Sequence, residues 1–196
     1  MAKRLFDVIF SLIGLILLSP ILLIISLCVL SDLEGSVIYR QKRIGKNGIE
    51  FYLFKFKTMK KGSDRKGLLT VGSRDQRITR TGYYLRKYKL DELPQLMNVL
   101  LGDMSLVGPR PEVKKYTDLY SEAQRQVLLV KPGITDYASI EFSNENEILG
   151  ASPNPEETYI QEIMPQKLLL NLKYISEKSL WTDIRIIFST IYKIIH

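Results

Sequence analysis

From Val8 to Ser31 the chain carries no charged residue: VIFSLIGLILLSPILLIISLCVLS. An uncharged apolar run of about 18 residues or more reads as a membrane segment. At ~1.5 Å per residue this run reaches ~36 Å, longer than a ~30 Å hydrocarbon core. A secretory signal has a shorter apolar region, roughly 7–15 residues, ending in a small-residue cleavage site. The segment SLCVLSDLEG matches such a site poorly.

Ser19-Pro20 lies near the middle of the run. Pro20 has no backbone N–H and its ring crowds the preceding turn, so a kink or break is expected there. Ser19 is placed to hydrogen-bond a carbonyl that the proline frees. Lys3 and Arg4 precede the run, and Arg40, Lys42, Arg43 and Lys46 follow it. Basic flanks prefer the cytoplasmic side. A straight span exports one flank, whereas a helix that enters and returns keeps both inside. The reading is therefore a re-entrant helix–break–helix over residues 1–34, against a kinked spanning helix as the rival. The rest of the chain, residues 35–196, is then expected on the cytoplasmic side.

The remaining length suits one modest domain. Cys28 is the only cysteine and His196 the only histidine, which excludes an internal disulfide, a histidine triad and a multi-histidine zinc site. Chemistry must fall to carboxylates, Lys, Tyr, Ser or Thr. Residues 1–90 hold 18 Lys/Arg and 6 Asp/Glu, while residues 91–196 hold 10 and 15. A basic half of that strength attracts phosphate in a nucleotide, an anionic lipid or a nucleic acid.

The fold class expected is α+β and mostly helical. Val37–Ile44 and Ile49–Thr58 read as an antiparallel hairpin, with an Asn-Gly turn signal in Gly45–Gly48. Lys60–Asp75 reads as a loop, Thr79–Lys89 as a short basic helix, and Asp91–Leu101 as a helix ended by Gly102. Lys115–Leu129 reads as helix, 141–155 as loop and Glu156–Ser176 as mostly helix. Leu180–His196 has apolar residues at helical spacing, and Trp181 and Tyr192 suit either a membrane interface or a core helix.

Asp91 and Glu92 stand just ahead of Pro94. Pro suits the first turn of a helix and Asp suits its N-cap, so the pair is expected at the positive end of a helix, beside Arg86, Lys87 and Lys89. A carboxylate among such charges stays ionised and can attack phosphorus, while its neighbour can hold Mg²⁺. On spacing alone, ordinary capping explains the dipeptide better, since Asp-Glu pairs are common. Lys55 and Lys57 share one face of the predicted strand. Pro109-Arg110-Pro111 fixes the direction of a guanidinium.

Ser19-Pro20, KFKTM (55–59), LDELPQLMNVLLGDMSLVGPRPE (90–112) and KPGIT (131–135) together resemble the bacterial sugar transferases, in their small monotopic phosphoglycosyl transferase (PglC-type) form. The resemblance runs from the membrane segment to about residue 135; larger relatives carry extra membrane helices ahead of this core. It implies transfer of a sugar-1-phosphate from a UDP-sugar to a polyprenyl phosphate such as undecaprenyl phosphate, releasing UMP and starting a surface glycan. It implies Asp91 as the nucleophile of a phosphosugar intermediate and Glu92 as the Mg²⁺ ligand. Lys57, Arg86 and Arg110 would contact phosphates or uridine, and Pro109-Arg110-Pro111 would shape the nucleotide pocket. Membrane lipid is an implied partner, nucleic acid is not, and a homo-oligomer is left open; the resemblance also implies that residues 35–196 form a catalytic domain on the cytoplasmic face of a bacterial inner membrane.

The chain departs from the family after PGIT. Asp136 stands where many members have Gly, and Ser143 where they have Arg, which bears on the sugar-side contacts and leaves the dyad untouched. The alternative reading is a non-catalytic, membrane-anchored module that binds anionic lipid or nucleic acid through the basic half.

Overall fold

A computed structural model describes residues 2–32, 36–63, 69, 71–72 and 75–195. Helix α1 (Ala2–Asp32) is followed by strands β1 (Ile38–Ile44) and β2 (Glu50–Phe56), then helices α2 (Arg80–Lys87) and α3 (Gln95–Leu101). Strand β3 (Ser105–Val107), helix α4 (Lys114–Thr117) and strand β4 (Gly133–Thr135) come next. The C-terminal part is helical: α5 (Tyr137–Glu141), α6 (Glu145–Ala151), α7 (Pro155–Thr158), α8 (Met164–Glu177) and α9 (Leu180–Ile195). The architecture is a mostly helical α+β domain.

One stripe of α1 faces the domain along its whole length. Asp7 and Ser11 near its start and Ile25 and Val29 near its end are buried, each pair four residues apart on the same helix face. The opposite face leaves Leu5, Ile16, Leu17, Leu23 and Ile24 exposed. Both ends are tied down. At the start, Lys3 pairs with Asp183 of α9, and Asp7 accepts from the Ser105 hydroxyl and the Leu106 N–H at 2.9 and 3.1 Å. Arg4 donates to the Val99 and Leu100 carbonyls that end α3, where a cation suits the negative end of the helix. At the other end, Asp32 accepts from Thr81 N–H in the first turn of α2 at 2.8 Å. Between them Ile25 and Val29 pack on Phe56 and Leu85, each fully buried side chain contributing about 1.5–3 kcal/mol.

The break expected at Ser19-Pro20 is corrected: α1 continues through Pro20 as one helix. The carbonyl that a non-proline N–H at 20 would engage is that of Ile16. The Ser19 hydroxyl donates to it instead, at 2.8 Å. That substitute bond and the packing of both halves on the domain keep the helix whole. The predicted end of the membrane segment, near residue 34, lies outside the described residues.

The hairpin forms as predicted, with β1 antiparallel to β2 from Ile38–Phe56 to Ile44–Glu50. Its turn uses Asn47 and Gly48 at φ 59° and 76°, the left-handed region that Asn and Gly tolerate best. The sequence reading missed β3 and β4, which pair in parallel. Two glycines permit this contact: a Cβ on Gly133 would lie 2.1 Å from Gly108 N, and one on Gly108 would lie 2.5 Å from the Lys131 carbonyl oxygen. Thus VGPRP and KPGIT, far apart in sequence, form one structural unit.

Two expectations need correction. Lys115–Leu129 is not one helix but α4 and a tight turn at Gln124–Leu129. Part of the expected 141–155 loop is α6, because Leu149 is buried in the core with Tyr159, Ile163 and Leu168 and Glu145 pairs with Lys167 at 2.8 Å. Half of the Lys60–Asp75 loop, residues 64–68, 70, 73 and 74, lies outside the described residues.

Candidate active site

The end of β2, the end of α2, the turn before α3 and the β3–α4 turn converge on one cavity of about 1110 Å³. Asp91 and Glu92 lie side by side in a single tight turn, Leu90–Glu92. The chain enters that turn through Lys89 at φ 54°. A left-handed residue with a side chain costs about 1–2 kcal/mol, so packing around the turn must hold it. The expected capping role is corrected. Pro94 occupies the N-cap of α3 without a side-chain cap, and the carboxylates belong to the turn ahead of it. Glu92 is held by cations rather than by backbone N–H groups.

Glu92 is gripped from two sides. Lys55 Nζ lies 3.0 Å from Oε1. The Arg110 guanidinium engages both oxygens, with Nη1 3.1 Å from Oε2 and Nη2 in a closer contact to Oε1. Burial alone would raise Glu92, but Arg110 and Lys55 outweigh it and hold the carboxyl well below the usual range. Burial dominates at Asp91 and pushes its carboxyl up, opposed by Lys55 and aided by the charge of Glu92. Burial also lowers Lys55, against the pull of Glu92. Adjacent carboxyls with opposite shifts are set up for different tasks.

The supports of these groups follow from local structure. Arg86 Nε donates to Thr58 Oγ1 at 2.9 Å. This requires α2 to lie against the backbone of Thr58, and Gly82 allows it: a Cβ there would stand 2.2 Å from the Thr58 carbonyl oxygen. Thr79 caps α2, its hydroxyl accepting from Gly82 N–H at 2.9 Å. Asp136 accepts from Arg110 N–H at 3.1 Å and caps α5 by accepting from Ser139 N–H at 2.6 Å. Asp136 therefore has a local use, in holding the turn that aims Arg110.

Of the sequence-predicted residues, Lys57, Arg86, Asp91, Glu92 and Arg110 all line the large cavity. Pro109 and Pro111 do not; they back onto a small cavity of about 20 Å³ that touches Arg110 from behind. They stiffen the turn and act on the main site through Arg110. Ser19 and Pro20 lie on α1 away from the cavity lining. Sequence reasoning placed Lys55 on the right strand face and missed its pairing with Glu92, which depends on how β2 meets the turn before α3. Ser143 lines the same cavity, as do Arg43 and Lys167. Arg43 is paired with Glu112 at 3.4 Å and Lys167 with Glu145.

Among the described residues no group of three or more His, Cys, Asp or Glu forms a metal cluster. Asp91 and Glu92 are the carboxylates beside Lys55 and Arg110; Glu112, Glu145 and Glu147 also line the cavity. Mg²⁺ commonly takes one or two carboxylates and completes its shell with phosphate oxygens and water. Lys55 and Arg110 take both Glu92 oxygens here, so an ion that arrives with a diphosphate would displace one of those cations from Glu92.

The family model described as bacterial sugar transferase matches residues 1–196. The chain is 38% identical over 195 residues to the UDP-glucose:undecaprenyl-phosphate glucose-1-phosphate transferase of Escherichia coli (strain K12), covering 97% of this chain and 39% of that protein. It is 34% identical over 196 residues to the UDP-N-acetylgalactosamine-undecaprenyl-phosphate N-acetylgalactosaminephosphotransferase of Aeromonas hydrophila, covering 98% and 43%. It is 37% identical over 193 residues to the uncharacterized sugar transferase EpsL of Bacillus subtilis (strain 168), covering 98% and 87%. The chain spans about two fifths of the length of the first of these relatives. With the family model matched from end to end, the chain belongs to the bacterial sugar transferase family.

Proposed function

We propose that this chain transfers a sugar-1-phosphate from a UDP-sugar to a polyprenyl phosphate, in two steps through Asp91. An Asp91 carboxylate oxygen attacks the sugar-bearing phosphorus, the bridging P–O bond breaks, and UMP leaves with the bridging oxygen. A phosphate oxygen of the polyprenyl phosphate then attacks the same phosphorus and returns Asp91 as a carboxylate. The product is a polyprenyl diphospho-sugar. The observation that carries this reading is the division of labour within the dyad. Glu92 takes the direct ion pairs with Lys55 and Arg110, while Asp91 is buried against the cavity with its charge offset by Lys55, Arg86 and Lys89.

Lys55, Arg86 and Arg110 bring positive charge to the phosphates that meet Asp91 in each step, and Glu92 positions Lys55 and Arg110. Mg²⁺, held by Glu92 and the donor diphosphate, would neutralise phosphate oxygens as the nucleophile approaches. A concave cavity around a carboxylate pair favours catalysis over the non-catalytic binding module, which needs only an open basic surface. The relatives named for glucose and for N-acetylgalactosamine transfer support a UDP-hexose donor and undecaprenyl phosphate as acceptor.

The membrane topology belongs to the same proposal. A helix that spans a bilayer cannot touch one extramembrane domain at both ends. Contacts at Lys3, Arg4, Asp7 and Asp32 support a non-spanning α1, embedded by its outer face with the domain on the cytoplasmic side. The exposed Trp181, Phe188, Tyr192 and Ile195 of α9 support an interfacial role for that helix. Residues 1–34 then act as the membrane element and 35–196 as the catalytic part.

The test is UMP release from a panel of UDP-sugars, with Mg²⁺, with and without undecaprenyl phosphate. The expected result is a stoichiometric burst without acceptor and steady turnover with it, together with a phosphosugar adduct on Asp91 by mass spectrometry. Turnover by folded Asp91→Asn would overturn the mechanism.

A further inference from the structure

The cavity around the dyad is larger than one small ligand requires, since such pockets run to about 300–1,000 Å³, and its lining is divided. One sector holds the cations and the dyad. The other is mostly apolar and comes from two helices: Phe10, Gly14 and Leu18 of α1, and Ile187, Ile191 and Ile194 of α9, with Thr190 and Lys193 of α9 on the same lining. The spacing of each set places it on one helix face. The outer faces of the same two helices are apolar and exposed, with Leu17 at 71% and Phe188 at 68%. The apolar sector therefore lies between two elements whose other sides suit lipid.

The walls of this cleft are held in place. Lys3 and Asp183 join the starts of α1 and α9, and Tyr174 donates to Asp183 at 2.7 Å behind them. The Thr135 and Thr190 hydroxyls, 2.6 Å apart, hold α9 against β4. The cleft is lined by apolar side chains at one part and reaches a cationic, phosphate-suited site at another.

We infer that the cleft between α1 and α9 holds the isoprenoid chain of the acceptor while its phosphate sits beside Asp91. This rests on the reaction proposed above and assigns its second substrate a path. The acceptor is an amphiphile whose phosphate must reach a buried carboxylate while its hydrocarbon chain stays out of water. An apolar cleft that shares a cavity with the dyad and is walled by lipid-suited helices meets both needs. A nucleotide or a sugar gains nothing from those apolar walls.

The test uses the full chain in lipid nanodiscs and separates the two half-reactions. Gly14→Leu and Ile191→Trp narrow the cleft from opposite sides. At Gly14 the nearest neighbour to a new Cβ is the Leu96 side-chain end, at 3.3 Å, so the helix itself is not forced off the domain. The expected result is a tenfold or larger rise in KM for undecaprenyl phosphate. The UMP burst without acceptor should keep its amplitude, which also reports that the variants are folded. The advantage of undecaprenyl phosphate over a two-isoprene phosphate should shrink in both variants. An unchanged acceptor KM with the burst intact would overturn the inference, as would loss of the burst in folded protein, which would give the cleft to the donor. Absence of any burst or acceptor dependence in the unaltered chain would instead overturn the underlying reaction.

Discussion

Arg110 grips Glu92 with two prongs, Nη1 to Oε2 at 3.1 Å and Nη2 to Oε1, although the two residues come from separate turns on either side of α3. The geometry depends on the planar guanidinium. Arg110→Lys keeps the charge and loses the fork. It is expected to lower kcat/KM for the UDP-sugar about 10²-fold, the usual scale for one preorganised donor group. Arg110→Ala should cost more, because Glu92 then keeps only Lys55. Steady-state UMP release for the three proteins checks the order.

The pH dependence follows from Asp91. Burial raises its carboxyl above the ordinary aspartate value, about 3.9 in the unfolded chain. The rate of the UMP burst should therefore rise with pH through that raised value and fall away below it, where the nucleophile is protonated. The stability effect has the opposite sense. An ionised, buried Asp91 disfavours folding above its folded pKa, and this cost vanishes below the unfolded value. Asp91→Asn should thus melt at or above the temperature of the unaltered protein at pH 7, with the gain fading as the pH drops. Glu92 is held low, so its contribution to stability is present above its unfolded pKa and is lost as pH falls through the folded one. Burst kinetics and melting curves from pH 4 to about pH 8 read both.

Gly82 is a packing requirement rather than a helix defect. Its missing Cβ leaves room for the Thr58 carbonyl, which a methyl would approach to 2.2 Å. Gly82→Ala is expected to push α2 off the end of β2, at a cost of about 1–3 kcal/mol, and to displace Arg86 from Thr58. A lower melting temperature with a raised KM for the donor is the signature. Gly82→Ala that melted and bound donor like the parent would show that the close approach is not required.

Topology is open to direct chemistry. In a Cys28→Ser background, single cysteines at Ala2 and Ser31, near the two ends of α1, should both react with an impermeant thiol reagent applied from the cytoplasmic side and neither from the periplasmic side. Labelling of the two ends from opposite sides would make α1 a span and would contradict its contacts with the domain.

Much of the molecule is determined locally. The uncharged run makes α1 a helix with an apolar outer face, Asn47-Gly48 closes the hairpin, and Gly102 ends α3 at φ 97°. These depend on hydrophobic pattern and backbone preference over a few residues, which the sequence states outright. The dyad and its cations were legible as residue types, through resemblance more than spacing. The tertiary structure decided the rest. It kept α1 continuous through Pro20, because Ser19 takes the freed Ile16 carbonyl and both halves of the helix pack on the domain. It turned part of an acidic, Pro- and Asn-rich stretch into α6 by burying Leu149. It gave Glu92 to Lys55 and Arg110, and joined VGPRP to KPGIT through two glycines that touch across 25 residues of chain. Each of these rests on contacts between segments distant in sequence, whose energies do not exist until the chain has closed on itself.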